Sequence, residues 1–368
     1  MALLTEDLPL IDGHCHAITL APLDDAAFAL WCTEADEPPP AGTSYLDSRL
    51  GLALRRWCAP VLDLPAHAPV EEYLRRRRRL GPDEVAGRML RAAGLSALLV
   101  DTGPVAGGLV DRSVLGTLAQ APAHAVVRLE LLAEQVAPGT GADGFADVFA
   151  AALDEAAAGA VATKSIAAYR HGLHLDPARP GAHEVSAAAG RWQRDGGRLS
   201  DPVLLRHLLW SAVDAGLPIQ LHTGFGDRDV VLARADPALL QPFCEATLPF
   251  GVPLVLLHCY PYHRQAGWLA SVYPHVYADV GLGVTQLGAR ATAVLGEFLE
   301  LAPFGKVLYS SDAYGLPELY LIAAAQLRHS LGLVLAETVA DGAASPADAR
   351  RAAEQLGAGN AARVYGLS

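Results

Sequence analysis

Leu8-Pro9-Leu10-Ile11-Asp12-Gly13-His14-Cys15-His16 is an apolar run that closes on two histidines one residue apart. In a β-strand, residues i and i+2 project to the same side, so His14 and His16 face one way and Cys15 the other. Two aligned imidazoles are half of a metal site. The other half is expected at the ends of later apolar runs, where Lys164, His222, His258 and Asp312 stand before Gly- or Tyr-containing sequence.

Working outward, eight such runs are legible, at 8–16, 95–103, 125–130, 160–166, 218–223, 253–258, 276–281 and 306–312. Ala- and Leu-rich stretches with helical periodicity lie between them, for instance 143–158, 201–215 and 292–301. Asp201-Pro202 supplies an N-cap and a proline at the first helical position, and Gly216 is a natural stop. Strand and helix alternating through eight units predicts a parallel sheet closed into a (β/α)8 barrel of α/β class, with all strand C-termini opening on one face. An open doubly wound sheet is the rival, and it lacks a Gly-rich dinucleotide fingerprint in the first strand-to-helix turn.

The chain of 368 residues reads as a single domain over 1–368. Residues 17–94 form a long interval between the first two strands and carry Pro38-Pro39-Pro40, Trp31, Trp57 and Arg55-Arg56. A long insertion at the catalytic face usually shapes the site, so a mostly helical cap is expected there; a peripheral helical decoration is the alternative. The tail, 346–368, reads as a helical region packed on the barrel.

With 52% hydrophobic and 18% charged residues, the composition is that of a packed globular protein. The net charge of −12 argues against nucleic acid, which needs a basic footprint. No uninterrupted apolar stretch reaches membrane-spanning length and the N-terminus lacks a signal-peptide layout, so a cytoplasmic protein without membrane association is expected. A small molecule is the expected partner, and a homo-oligomer is compatible with the sequence. The five cysteines, Cys15, Cys32, Cys58, Cys244 and Cys259, are scattered and read as reduced thiols. Glu71 and Glu72 precede Arg75 and Arg76 by four residues, so the basic block Arg75 to Arg79 reads as a solvated helix face.

Taken singly, His222 and His258 could be satisfied barrel histidines, and Asp312 could cap the following helix. Lys164 is harder to dismiss, because an inward lysine needs a partner or a modification to offset desolvation. Together the six positions form a metal-ligating set, with one or two divalent ions, zinc foremost and manganese or iron as alternatives. Such ligands must be held at about 2.0–2.2 Å, and coordination lowers the pKa of a bound water from about 15.7 to about 7, yielding hydroxide at neutral pH. Asp312 would accept that water's proton and pass it to the leaving group. His258 would ligate a second ion, or polarise the substrate if only one is present. Lys164 would bridge two ions as a carbamate formed with CO2, or bind substrate as a free lysine.

The chain resembles the amidohydrolase superfamily, within its amidohydrolase-2 group, through His14 and His16 ending strand one, Lys164 ending strand four, His222 and His258 ending strands five and six, and Asp312 ending strand eight. The resemblance implies a distorted barrel with one or two divalent metals. Finer similarity is to the hydrolase-like portion of proteins fused to glutamine-synthetase-like domains, carried by Lys164-Ser165-Ile166-Ala167-Ala168-Tyr169-Arg170, Leu221-His222-Thr223-Gly224-Phe225-Gly226-Asp227 and Tyr309-Ser310-Ser311-Asp312. No synthetase-like sequence follows here, so a fusion-dependent role is not expected.

Arg128 and Glu130 at strand three, Tyr169 and Arg170 after strand four, and Asp227 after strand five are candidates for the polar ends of a substrate, with structural ion pairs as the alternative. His171, His174, His183 and His263 read as solvated loop histidines. The leading function is hydrolysis of a C–N bond in a small amide, and the fused relatives suggest a γ-glutamyl amide. A nonhydrolytic decarboxylase of a small carboxylic acid is the second enzymatic reading, and a non-catalytic metabolite-binding barrel is the third.

Overall fold

The computed structural model describes residues 5–103 and 108–367; Ser368, the last residue of the expected tail, lies outside them. Eight parallel strands follow one another around the sheet in chain order: β1 (Leu10–Cys15), β2 (Leu95–Asp101), β3 (Ala123–Arg128), β4 (Ala160–Ser165), β5 (Ile219–Thr223), β6 (Leu254–His258), β7 (Val276–Asp279) and β8 (Val307–Leu308). The ring closes between β8 and β1, where Gly13 N donates to Tyr309 O at 2.9 Å and Asp312 N donates to His14 O at 3.0 Å. Gly13 is needed at that seam because a Cβ there would sit 2.9 Å from Tyr309 O. The (β/α)8 barrel expected from the alternation is the observed fold.

Helices wrap the outside, and their boundaries follow their caps. Asp201 accepts from Val203 N at the start of Pro202–Ala215, and Gly216 ends it in the left-handed region. Inside the barrel, Ile11, Ala97, Leu99, Val126, Ala162, Val255, Leu257 and Leu308 make a compact apolar layer, closed from below by Ala361, Val364 and Tyr365 of the helix Asn360–Tyr365. Below the strand ends the barrel is therefore a packed core, which leaves the strand C-termini as the place for polar chemistry.

The 17–94 interval contains the helices Asp25–Leu30, Arg49–Val61, Val70–Leu80 and Pro82–Ala93. Pro82–Ala93 packs against Pro317–Ala340 and Arg112–Ala119, which puts it in the outer ring of the barrel. The basic block departs from expectation. Val70–Leu80 presents Arg78 to solvent, but Arg77 is 7% exposed and its Nε donates to Glu318 at 2.6 Å. Glu318 also accepts from the Tyr73 hydroxyl at 3.1 Å, and the Arg77 guanidinium lies over Phe28. A run of five arginines cannot all face water on one helix, because the 3.6-residue period turns the middle one inward. Pro317–Ala340 is also long and apolar enough to cross a membrane, with a mean hydropathy of 1.4, but 67% of that window is buried inside the fold.

Candidate functional site

Polar side chains gather at the strand ends because the regular strand alternation breaks there. A register shift between Asp12 and Cys15 lets Ile11 and then His14 point into the barrel. Leu257 also points inward, so simple alternation would send His258 outward. Instead His258 adopts φ 68° and Cys259 φ 63°, and the left-handed backbone leaves the imidazole 3.6 Å from Asp312 Oδ2. Asp312 likewise has φ 49°. Such backbone costs of order 1–3 kcal/mol per residue and persists only where its surroundings enforce it. The two serines before Asp312 do the enforcing. Ser311 donates through N and Oγ to Asp12 at 2.8 and 2.6 Å, and Ser310 Oγ donates to Asp279 at 2.8 Å.

These constraints bring the six expected side chains together. His14 Nε2 lies 3.2 Å from both Lys164 Nζ and Asp312 Oδ1, His16 Nε2 lies 3.5 Å from Asp312 Oδ1, and His258 Nε2 lies 3.6 Å from Asp312 Oδ2. The His222 and His258 rings are 4.6 Å apart. Five of them, His14, His16, Lys164, His222 and Asp312, line a cavity of about 800 Å³, and His258 adjoins them through Asp312 and His222.

The protonation pattern follows from the hydrogen bonds. Gln220 Nε2 donates to Gly13 O at 2.6 Å, so its Oε1 must be the acceptor for His14 Nδ1 at 2.8 Å. The proton of His14 is thereby placed on Nδ1, leaving Nε2 as a lone pair aimed at the centre. Burial first, and then Lys164, holds His14 down at about 4 and His222 well below the imidazole range; burial does the same for His258. Neutral imidazoles result. Asp312 is held well below its ordinary carboxylate range although burial works against its charge.

The set fits a divalent ion on two observations. First, the His14 Nε2 lone pair, which has Lys164 Nζ at 3.2 Å, and a carboxylate oxygen of Asp312 also face each other at 3.2 Å, two acceptors that a shared cation would reconcile. Second, both ring nitrogens of His258 and Nε2 of His222 are buried without a hydrogen-bond partner among the described residues. Such orphaned groups are costly unless something else binds them. Among the described residues, His14, His16 and Asp312 offer ligand atoms within 4.8 Å of one another.

The expected substrate residues divide. Tyr169, on the short helix Ala167–Arg170, packs its ring 4.5 Å from His222 and lines the cavity, as does Asp227. Arg128 and Arg170 also line it, but each is already engaged. Arg128 Nε donates to Asp101 at 2.9 Å, and Arg170 Nη1 donates to Glu134 at 2.8 Å. Glu130 is fully buried and accepts from Ser165 Oγ and Ile166 N, so it braces the end of β4 and does not face substrate. His263 is likewise not a solvated loop residue; it opens the helix His263–Val272, is buried, and pairs with Glu297 at 2.9 Å. His183 stands on the helix Ala182–Asp195, exposed.

Two groups escaped the sequence reading although the signal was present. Asp101 ends β2 and lies 4.0 Å from His14 Nε2, with its carboxyl at about 2 because Arg128 outweighs the cost of its burial. It closes an apolar run as Asp312 does. Gln220 stands two residues before His222, hence on the same side of β5. Replacing it with leucine removes the group that fixes the His14 tautomer and is expected to weaken divalent-metal affinity about 10–100-fold, measured by competition with a chelator. Wild-type affinity in Gln220→Leu would contradict that role.

Comparison with known proteins identifies the family and the fold. The sequence model of the amidohydrolase family matches residues 11–367. The fluG protein of Emericella nidulans is 35% identical over 244 residues, which is 61% of this chain and 28% of fluG, so the chain spans little more than a quarter of that relative. A candidate metal-dependent hydrolase from Lactobacillus casei superposes with a TM-score of 0.88 at 30% identity, covering 100% of this chain and 98% of the other. A uronate isomerase from Bacillus halodurans superposes at 0.63 with 14% identity, covering 99% and 95%, a likeness of fold.

Proposed function

The chain belongs to the amidohydrolase family, and from that premise we propose that it hydrolyses a C–N bond in a small amide with the help of divalent metal. The observation that carries the reading is the convergence of His14, held neutral, with His16 and anionic Asp312 on one point at the floor of a substrate-sized cavity. His14, His16 and Asp312 would hold one ion, and His222 and His258 a second. Bound there, a divalent ion supplies Lewis acidity and makes water a nucleophile near neutral pH.

The protein's own groups do the rest. Asp312, anionic at neutral pH, can take the proton released by the attacking water and return it to the departing nitrogen, which must leave as an amine. Gln220 keeps His14 in one tautomer, and Tyr169 packs on His222 and narrows the cavity beside it. Lys164 is 1% exposed, and burial together with Arg128 lowers it to about 8, so a fraction is neutral amine at physiological pH. That nucleophilic form adds to CO2, making an N–C bond and releasing a proton, and the resulting carbamate would bridge two ions. A γ-glutamyl amide is the specific substrate form carried over from the resemblance to synthetase-fused proteins.

The test is release of amine from a panel of small amides by metal-loaded protein, with loss of the activity on chelation and return on readdition. Evolution of CO2 from carboxylic acids without amide cleavage would overturn the hydrolytic reading.

A further inference from the structure

The helix Asn360–Tyr365, which closes the barrel from below, sends one polar group up toward the histidines. Tyr365 packs in the apolar layer with Ile11, Val255, Leu257 and Leu308, and its hydroxyl is the polar atom of that layer. It accepts from Gln220 Nε2 at 2.9 Å. The same nitrogen donates to Gly13 O at 2.6 Å, so both amide hydrogens of Gln220 are engaged and Oε1 is what remains for His14 Nδ1 at 2.8 Å. All three side chains are buried, Gln220 and His14 at 0% exposure and Tyr365 at 5%. Burial also pushes the Tyr365 phenol above its ordinary range, so it takes part as a neutral hydroxyl.

The helix is fastened where this contact requires it. Asn360, 0% exposed, donates through Nδ2 to Phe304 O at 2.7 Å and to Val307 O at 2.8 Å, at the start of β8. The turn Gln355–Gly359 before it presses on the residue that precedes β1, where a Cβ on Gly357 would sit 2.6 Å from Pro9 O. Residues 355–365 are therefore tied to the two strands whose seam holds Gly13 and His14. A Cβ on Gly13 would stand 3.8 Å from the Tyr365 hydroxyl, so the phenol reaches the seam itself. Without that oxygen, one N–H of Gln220 would face the apolar layer, and a buried donor without an acceptor is costly. The amide can escape the cost only by leaving its place against His14.

We propose that Tyr365 is a positioning residue of the metal centre: its hydroxyl takes the second amide hydrogen of Gln220, and through that amide it holds His14 with Nδ1 protonated and Nε2 bare. The metal duty of His14 in that statement rests on the reading given above, whereas the chain Tyr365 to Gln220 to His14 and the tautomer it sets are claims about the protein without metal. The helix under the barrel thereby acts on the opposite face. Its influence runs along the barrel axis through one side chain of β5.

The test uses Tyr365→Phe, which keeps the ring and removes only the hydroxyl, and reads two quantities. Imidazole nitrogen NMR of metal-free protein near neutral pH should show His14 with a protonated Nδ1 and a bare Nε2 in the wild type, and both resonances should move toward each other in Tyr365→Phe as the second tautomer becomes populated. Zinc affinity, from competition with a chelator, should fall about 3–10-fold, the size of one neutral hydrogen bond. In a Gln220→Leu background the same substitution should change affinity no further, because the amide it acts through is gone. Unchanged His14 resonances, wild-type zinc affinity in Tyr365→Phe, or an equal loss of affinity in both backgrounds overturns the proposal, the last marking a merely structural tyrosine. Failure of the wild type to bind zinc, with the NMR shift intact, would sink the metal reading and leave the hydrogen-bond chain standing.

Discussion

Asp312→Asn in metal-loaded protein is expected to lower kcat on any amide the enzyme cleaves by about 10²–10⁴-fold, the usual contribution of a positioned acid–base group. The carboxylate lies within 3.2–3.6 Å of His14, His16 and His258, which places this one group for both ligation and proton transfer. Metal content measured on the same sample separates the two duties. Metal lost in step with activity marks ligation as dominant, and metal retained with kcat depressed marks proton transfer. Wild-type turnover would contradict both. A stability effect should accompany the kinetic one in metal-free protein. A carboxyl held below its unfolded value stabilises the fold above that value, about pH 4, and the contribution disappears as the pH falls through the lowered folded value. The deficit of Asp312→Asn relative to wild type should therefore be present at neutral pH and shrink in acid, as read from denaturant unfolding.

The second large effect concerns stability alone. Arg77→Ala is expected to cost about 3–5 kcal/mol, because it strands the carboxylate of Glu318, which is 0% exposed, with only the Tyr73 hydroxyl for company. One oxygen of Glu318 already lacks a partner among the described residues, so the arginine is its main compensation. The same guanidinium covers Phe28 in the helix that leads to Trp31 and Glu34. Loosening it should therefore disturb the cavity wall as well as the fold. Urea unfolding measures the loss, and Arg78→Ala is the control, since Arg78 pairs with exposed Asp25 and should leave the midpoint nearly unchanged. An Arg77→Ala midpoint as close to wild type as the control's would show the buried pair to be dispensable.

The fold was legible because barrels announce themselves through repetition. Each strand ends where an apolar run meets a polar or glycine-containing loop, and the observed ends differ from the expected ones by at most a few residues, most at β8, which is only Val307–Leu308. His14, His16, Lys164, His222, His258 and Asp312 were found from the same rule, strand end plus metal-ligating chemistry. What period-two reasoning cannot supply is aim. His258 and Asp312 are turned toward each other by left-handed backbone, and the pairings beside it are not local: Ser311 to Asp12 joins opposite ends of the chain, and Ser310 to Asp279 joins two different strand ends. Arg128 and Arg170 show the converse. An arginine at or shortly after a strand end looks free in sequence, and only the three-dimensional arrangement reveals that Asp101 already holds Arg128 and Glu134 already holds Arg170. Arg77 was misjudged for a related reason, since its partner Glu318 is remote in the chain.

The most direct measurement is an anomalous-difference map, recorded above the zinc edge, from crystals of catalytically active, zinc-replete protein. The account predicts a peak within about 2.0–2.2 Å of ligand atoms of His14, His16 and Asp312, with branched density on Lys164 if a second peak lies beside His222 and His258. A map from active protein with no ion in reach of His14, His16 and Asp312 would contradict it.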